Sequence, residues 1–219
     1  VPYMEAQKTQ TQMVPICDPV KQFEVSNPEV AEFRNKFKIP TDKKIFLNFG
    51  YLDDRKGMEV FIDACATLPK EALAKICLML AGPVPEYYEK LIEAKLAQAP
   101  ALEVIRCYGY LPAREVQICF EISDVVLILY QDFLNMSSVL IRAAMANKPT
   151  FATRTGMIGE LVSRNNLGLI VDATSINEVA GDLTKIIQNG ISYSKDNLKQ
   201  LAEENSLYSF LSTIDQTIR

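Results

Sequence analysis

Asn48-Phe49-Gly50-Tyr51-Leu52-Asp53-Asp54-Arg55-Lys56-Gly57 takes the end of an apolar strand through a glycine and a short polar loop. The loop delivers one lysine to the start of a helix. Asn135-Met136-Ser137-Ser138-Val139-Leu140 makes a second passage from an apolar strand to a helix. One junction offers a cation. The other offers small hydroxyl side chains and the free N–H groups of a helix start, which bind phosphate oxygens with help from the helix dipole. Together they suit an anion such as a diphosphate. Lys56 is the cation such an anion would meet and the candidate catalytic residue, because a fixed cation in a dry cleft stabilises developing negative charge. The alternative is a solvated lysine in a first helical turn, but a cation there opposes the dipole and gains nothing structurally. Arg55 next door could substitute for it, but i and i+1 side chains diverge on a helix. Asp53 and Asp54 read as solvated loop residues that favour the helix start. At the second junction, phosphate binding and plain N-capping by Asn135 or Ser137 share one geometry. Gly50, Gly82 and Gly109 permit close backbone approach.

Regular elements must hold these residues. Asn27-Pro28 opens a helix that runs to about Phe37, with Asn27 as N-cap and Pro28 at the first helical position. Strands are expected over 44–49, 76–81, 102–107, 125–130, 149–152 and 169–171. Helices are expected over 56–68, 85–98, 113–122, 138–146, 156–163 and 176–188, with a more polar helical segment over 195–218. Met13-Val14-Pro15-Ile16-Cys17 is a linker or an edge strand. Continuous apolar strands alternating with helices imply a parallel sheet covered on both faces. A ligand then sits at the carboxyl ends of the strands, where both junctions lie.

The composition narrows the chemistry. The 219 residues are 48% hydrophobic and 23% charged, enough for a full core. A net charge of −4 with no long basic run argues against nucleic acid or an anionic membrane as partner. Apolar runs fall short of the roughly 18 residues of a membrane span. The polar start, which lacks Met and any basic-then-apolar pattern, suggests a fragment or processed chain without a signal peptide. The sequence has five cysteines, no Cys-x-x-Cys pair and no histidine. The cysteines read as inert, largely buried thiols in a reducing compartment, the cytoplasm. Without histidine, a zinc site or a Ser-His-Asp triad within the chain is excluded. No Gly-x-Gly-x-x-Gly or Gly-Lys-Ser/Thr signature supports dinucleotide or P-loop chemistry, as an unrelated nucleotide-binding sensor would require.

Several segments, in order, resemble the family 4 (group 1) glycosyltransferases of GT-B type. Met13 to Asp18, with Phe23 behind it, resembles their interdomain hinge. Gly50-Tyr51 to Lys56-Gly57 resembles the first donor-domain loop. Tyr108-Gly109-Tyr110-Leu111-Pro112, Glu115 and Ile122-Ser123-Asp124-Val125 resemble the segment after the third strand and the next strand entry. Lys148 to Thr153, Gly156 to Val162 and Gly168 to Asp172 resemble later stretches. The match runs from about residue 13 to 190.

The resemblance implies an α/β fold, a Rossmann-like parallel β-sheet with helices on both faces, one half of a GT-B architecture. Its divisions would be a tail and linker over 1–24, a nucleotide-sugar donor-binding domain over 25–190 and a helical extension over 191–219. The implied donor contacts are Gly50, Tyr51, Lys56, Gly82, Asn135, Ser137, Ser138, Val139 and Glu160, with Tyr110 and Leu111 flanking the base or, alternatively, acting as core residues at a strand end. Glu160 is expected to begin a short helix by the cleft, where it either belongs to the site or only favours the helix start. The implied partners are a nucleotide-diphosphate sugar and an N-terminal acceptor domain lying outside this chain, with no cofactor and no bound metal. The implied activity is transfer of a hexosyl group, with retention, and this half alone would be inactive. Two departures stand out. Many relatives carry Arg at the position of Tyr51, and two glutamates at those of Leu134 and Arg142. A guanidinium cannot accept hydrogen bonds from ribose hydroxyls. A subgroup with a Ser-rich loop does without the first glutamate. A degenerate, non-catalytic relative with a structural or regulatory role is the alternative.

Overall fold

Residues 19–218 are described by a computed structural model of the chain. The apolar runs form six parallel strands: β1 (Lys44–Phe49), β2 (Ile76–Gly82), β3 (Glu103–Tyr108), β4 (Val125–Ile128), β5 (Thr150–Thr153) and β6 (Gly168–Val171). Their order in the sheet is β3-β2-β1-β4-β5-β6. The chain winds outward from β1 through β2 to β3, then returns to the other side of β1 with β4. This reversal opens a crevice between the carboxyl ends of β1 and β4, where open α/β sheets take their ligands.

Side-chain alternation along each strand feeds two cores. In β1, Ile45 and Leu47 join one cluster and Phe46 the other. The first is covered by α1 (Asn27–Phe37), α5 (Ala113–Ile122), α6 (Ser138–Met145), α7 (Gly156–Arg164) and α9 (Lys195–Glu204). The second is covered by α2 (Met58–Ala66), α3 (Lys70–Leu73), α4 (Glu86–Leu96) and α8 (Ile176–Asn189). The sheet is therefore buried on both faces, as its uninterrupted apolar strands require. A last helix, α10 (Leu207–Ile218), follows a break at Asn205-Ser206. Ser206 bridges to Val20, and the Val20 N–H donates to the Asn205 carbonyl. The expected 13–17 linker or edge strand lies outside the described residues.

Several expected boundaries move, each for a local reason. The N-cap of α1 is Ser26, one residue before Asn27, because the Glu29 carboxylate accepts from the Ser26 N–H and Oγ. The helix expected from Lys56 begins at Met58 instead. Residues Asp54–Lys56 form a separate 3₁₀ turn, which Gly57 closes in the left-handed region at φ 67°. The strand expected over 125–130 stops at Ile128, so Leu129 and Tyr130 leave the ladder before the crevice.

Candidate functional site

Lys56 ends its 3₁₀ turn rather than opening an α-helix, and its side chain folds back toward the sheet. It is 8% exposed. Its Nζ donates to the Phe49 carbonyl at the end of β1 (3.0 Å) and to the Tyr130 hydroxyl beyond β4 (2.7 Å). The same Nζ lies 4.3 Å from the Tyr130 ring centroid. A Cβ added at Gly50 would stand 3.0 Å from Nζ, so the glycine leaves the lysine its place. Both acceptors are neutral oxygens, and Lys56 has no carboxylate partner among the described residues. Buried cations in proteins are ordinarily paired.

The neighbouring charges neutralise one another. Asp53 is buried, contrary to the expected solvated loop residue, and its Oδ2 accepts from Arg55 Nε (3.0 Å) and Nη2 (2.8 Å). A loop turned in against the protein cannot solvate that carboxylate, so the next cation in sequence takes it. The Asp53 carboxylate in turn holds the Arg55 guanidinium pKa above its usual value. Asp54 stays exposed, as expected. Arg55 is thus committed to Asp53, and its carbonyl accepts from Gln131 N–H, tying this loop to the exit of β4.

At the second junction Ser137 is the N-cap of α6, its buried Oγ accepting from the Val139 N–H at 3.2 Å. The same Oγ donates to the Tyr130 hydroxyl at 3.3 Å. Asn135 and Ser138 are exposed beside it, and Val139 is buried. Lys56, Tyr130 and Ser137 therefore form one polar chain that crosses the switch between β1 and β4. Tyr130 was missed in the sequence because it reads as the last residue of an apolar strand.

Tyr110 and Leu111, expected to flank a base, lie nearby. Gly50, Tyr51, Gly82, Gly109, Tyr110 and Leu111 line a groove of about 220 Å³ above β1, β2 and β3. Gly82 and Gly50 touch through their backbones: a Cβ at Gly82 would fall 2.0 Å from the Gly50 carbonyl oxygen. A Cβ at Gly109 meets nothing within 4 Å, so crowding does not require a glycine there. Tyr110 is 90% exposed and is no core aromatic. Glu160 lies one turn into α7 rather than at its start, exposed and 3.9 Å from Arg164. The start of α7 does border the second junction, with the Met157 N–H donating to the Leu134 carbonyl. Leu134 is exposed. Arg142 is half-buried on α6 without an ion-pair partner among the described residues, and burial lowers its pKa. A larger groove, about 610 Å³, lies at the far end of α6 from Ser137, beside Val20 and α9. None of the candidate residues lines it.

A sequence model of the family described as glycosyl transferases group 1 matches residues 29–205. The structure resembles Anabaena HepE in complex with UDP and glucose, with TM-score 0.73 and 18% identity over 89% of this chain and 53% of that one. It also resembles sucrose-phosphate synthase from Thermosynechococcus elongatus, with TM-score 0.69 and 18% identity over 100% of this chain and 55% of that one. A third neighbour is the C-terminal domain of a group 1 family protein, LpcC, from Francisella tularensis, with TM-score 0.61 and 19% identity over 86% of this chain and 93% of that one. The chain spans about half the length of the first two. No curated protein matches it.

Proposed function

The chain belongs to the group 1 glycosyl transferases, and from that premise we propose that it is the donor-binding half of a transferase using a nucleotide-diphosphate sugar. The observation that carries the reading is Lys56, a buried cation at the switch point held only by neutral oxygens. A diphosphate supplies the missing negative charge. It would lie between Lys56 and the start of α6, with the base in the groove beside Tyr110 and Leu111. As the glycosyl bond to phosphate breaks, negative charge grows on the leaving diphosphate. A fixed cation and aligned N–H groups stabilise that charge more than the ground state. UDP is the first candidate, since HepE has been crystallised with UDP and UDP-glucose.

On this reading a hexosyl group is transferred with retention, and acceptor contacts come from a second domain. The present chain then binds donor without turning it over. Arg142, an acceptor-less side chain at a position where the resemblance implies a glutamate in many relatives, favours a second reading: a relative that binds but does not transfer. Calorimetric titration with UDP, GDP and ADP tests the first claim. One diphosphate should bind, and Lys56→Ala should weaken it by about 1.5–3 kcal/mol, the worth of a hydrogen bond to a charged group. Equal affinity in the variant would refute the role of Lys56. Sugar release assayed with the chain joined to its acceptor domain separates transferase from binder.

A further inference from the structure

We propose that the Tyr130 hydroxyl is itself a donor to the diphosphate, the group that joins the two junctions into a single anion cradle. The inference rests on the donor-site reading above and concerns a residue outside the two junction motifs.

Lys56 Nζ can only donate, and it donates to the Tyr130 oxygen at 2.7 Å. Ser137 Oγ donates to the same oxygen at 3.3 Å, while accepting from the Val139 N–H. A phenol oxygen has two acceptor positions and one proton. Both acceptor positions are filled, and the proton has no acceptor among the described residues. Every link points the same way: Val139 N–H to Ser137, Ser137 to Tyr130, Lys56 to Tyr130. Chains of this kind polarise one another, and a cation at one end strengthens the donor at the other. The chain therefore ends on an enhanced O–H donor, beside a lysine that keeps one of its three N–H groups unused. A group with several anionic oxygens in one place can accept from both.

Tyr130 is also held for the task. It is 7% exposed, and its ring meets Phe133 edge-on, with centroids 5.3 Å apart. Replacing it by phenylalanine removes one oxygen and leaves that packing. Tyr130 acts as a hydrogen-bond donor, and no proton or bond is transferred.

The test compares wild type, Tyr130→Phe and Lys56→Ala, each titrated with UDP and with uridine, and each checked by thermal melting. The guanosine or adenosine pair replaces these if that base binds instead. The expected result is a loss of about ten- to hundredfold in UDP affinity for Tyr130→Phe, with uridine affinity unchanged. In wild type carrying [13Cζ]tyrosine, one Cζ resonance should also move with UDP and stay still with uridine. This second measurement needs no variant to fold. Two outcomes overturn the proposal while leaving the donor site standing. One is Tyr130→Phe binding UDP within twofold of wild type while Lys56→Ala does not. The other is UDP and uridine weakening together in Tyr130→Phe. If wild type binds no nucleoside diphosphate, the donor-site reading falls and this proposal with it.

Discussion

Gly57 is the residue on which the placement of Lys56 turns, and Gly57→Ala tests that directly. The glycine closes the 3₁₀ turn at φ 67°, a region that costs an L side chain roughly 1–2 kcal/mol. Its missing side chain also faces the exit of β4: a Cβ would fall 2.0 Å from the Leu129 carbonyl oxygen and 3.0 Å from the Leu129 Cβ. Backbone on both sides must move to admit a methyl group, and overpacking of this kind costs about 1–3 kcal/mol. The sum, roughly 2–5 kcal/mol, is a large share of a typical domain's stability. Leu129 directly precedes Tyr130, so the shift that relieves the clash also pulls the Tyr130 hydroxyl away from Lys56. Urea denaturation followed by circular dichroism measures the loss, with the slope checked for two-state behaviour. Gly109→Ala is the control, since Gly109 also has positive φ, 93°, but nothing lies within 4 Å of its Cβ position. It should lose only the backbone part, about 1–2 kcal/mol. If Gly57→Ala and Gly109→Ala are equally stable, the close approach to Leu129 is not what demands glycine.

Three further outcomes follow from the same structure. Gly181→Ala, inside α8 with open space around the Cβ position, should raise stability by about 0.5–1 kcal/mol in the same denaturation assay, and a loss there would contradict the open placement. Cys65, Cys77, Cys107 and Cys119 are free and buried, and burial drives the thiols of Cys77 and Cys107 up to about 12. Iodoacetamide at pH 8 should therefore spare all four in the native chain and label them in urea, as mass spectrometry of peptides would show. The Arg114 guanidinium, with Ser26, holds the Glu29 carboxyl down at about 2. Because its folded pKa lies below the ordinary value of 4.5, the tie between α1 and α5 is complete above about pH 4.5 and is lost as pH falls toward 2. NMR titration should place the Glu29 midpoint near the lower value and move it upward in Arg114→Ala; a wild-type midpoint above 4 would refute the contact.

Much of this molecule is written locally. The run KIFLNF is β1 to the residue, and Ala113–Ile122 is α5 to the residue, because strand and helix periodicity and the flanking prolines and glycines act within a few positions. Alternation of those elements determined a parallel, doubly covered sheet, and the order of the family-like segments determined the family. Both junctions were legible for the same reason: a glycine, a lysine and a pair of serines are local signals. Their environments were not. Lys56 is buried where Gly57 brings the loop against Leu129, and its hydroxyl partner lies 74 positions away. Tyr130 looks like one more apolar strand residue until β4 ends two residues early. Asp53 looks solvated until Arg55 is seen to close on it. Sequence pattern sets backbone type through short-range sterics and hydrophobic period. The charge a group faces depends on what the sheet order brings beside it, and here that order placed β4 next to β1 and joined a lysine, a tyrosine and a serine from two distant segments.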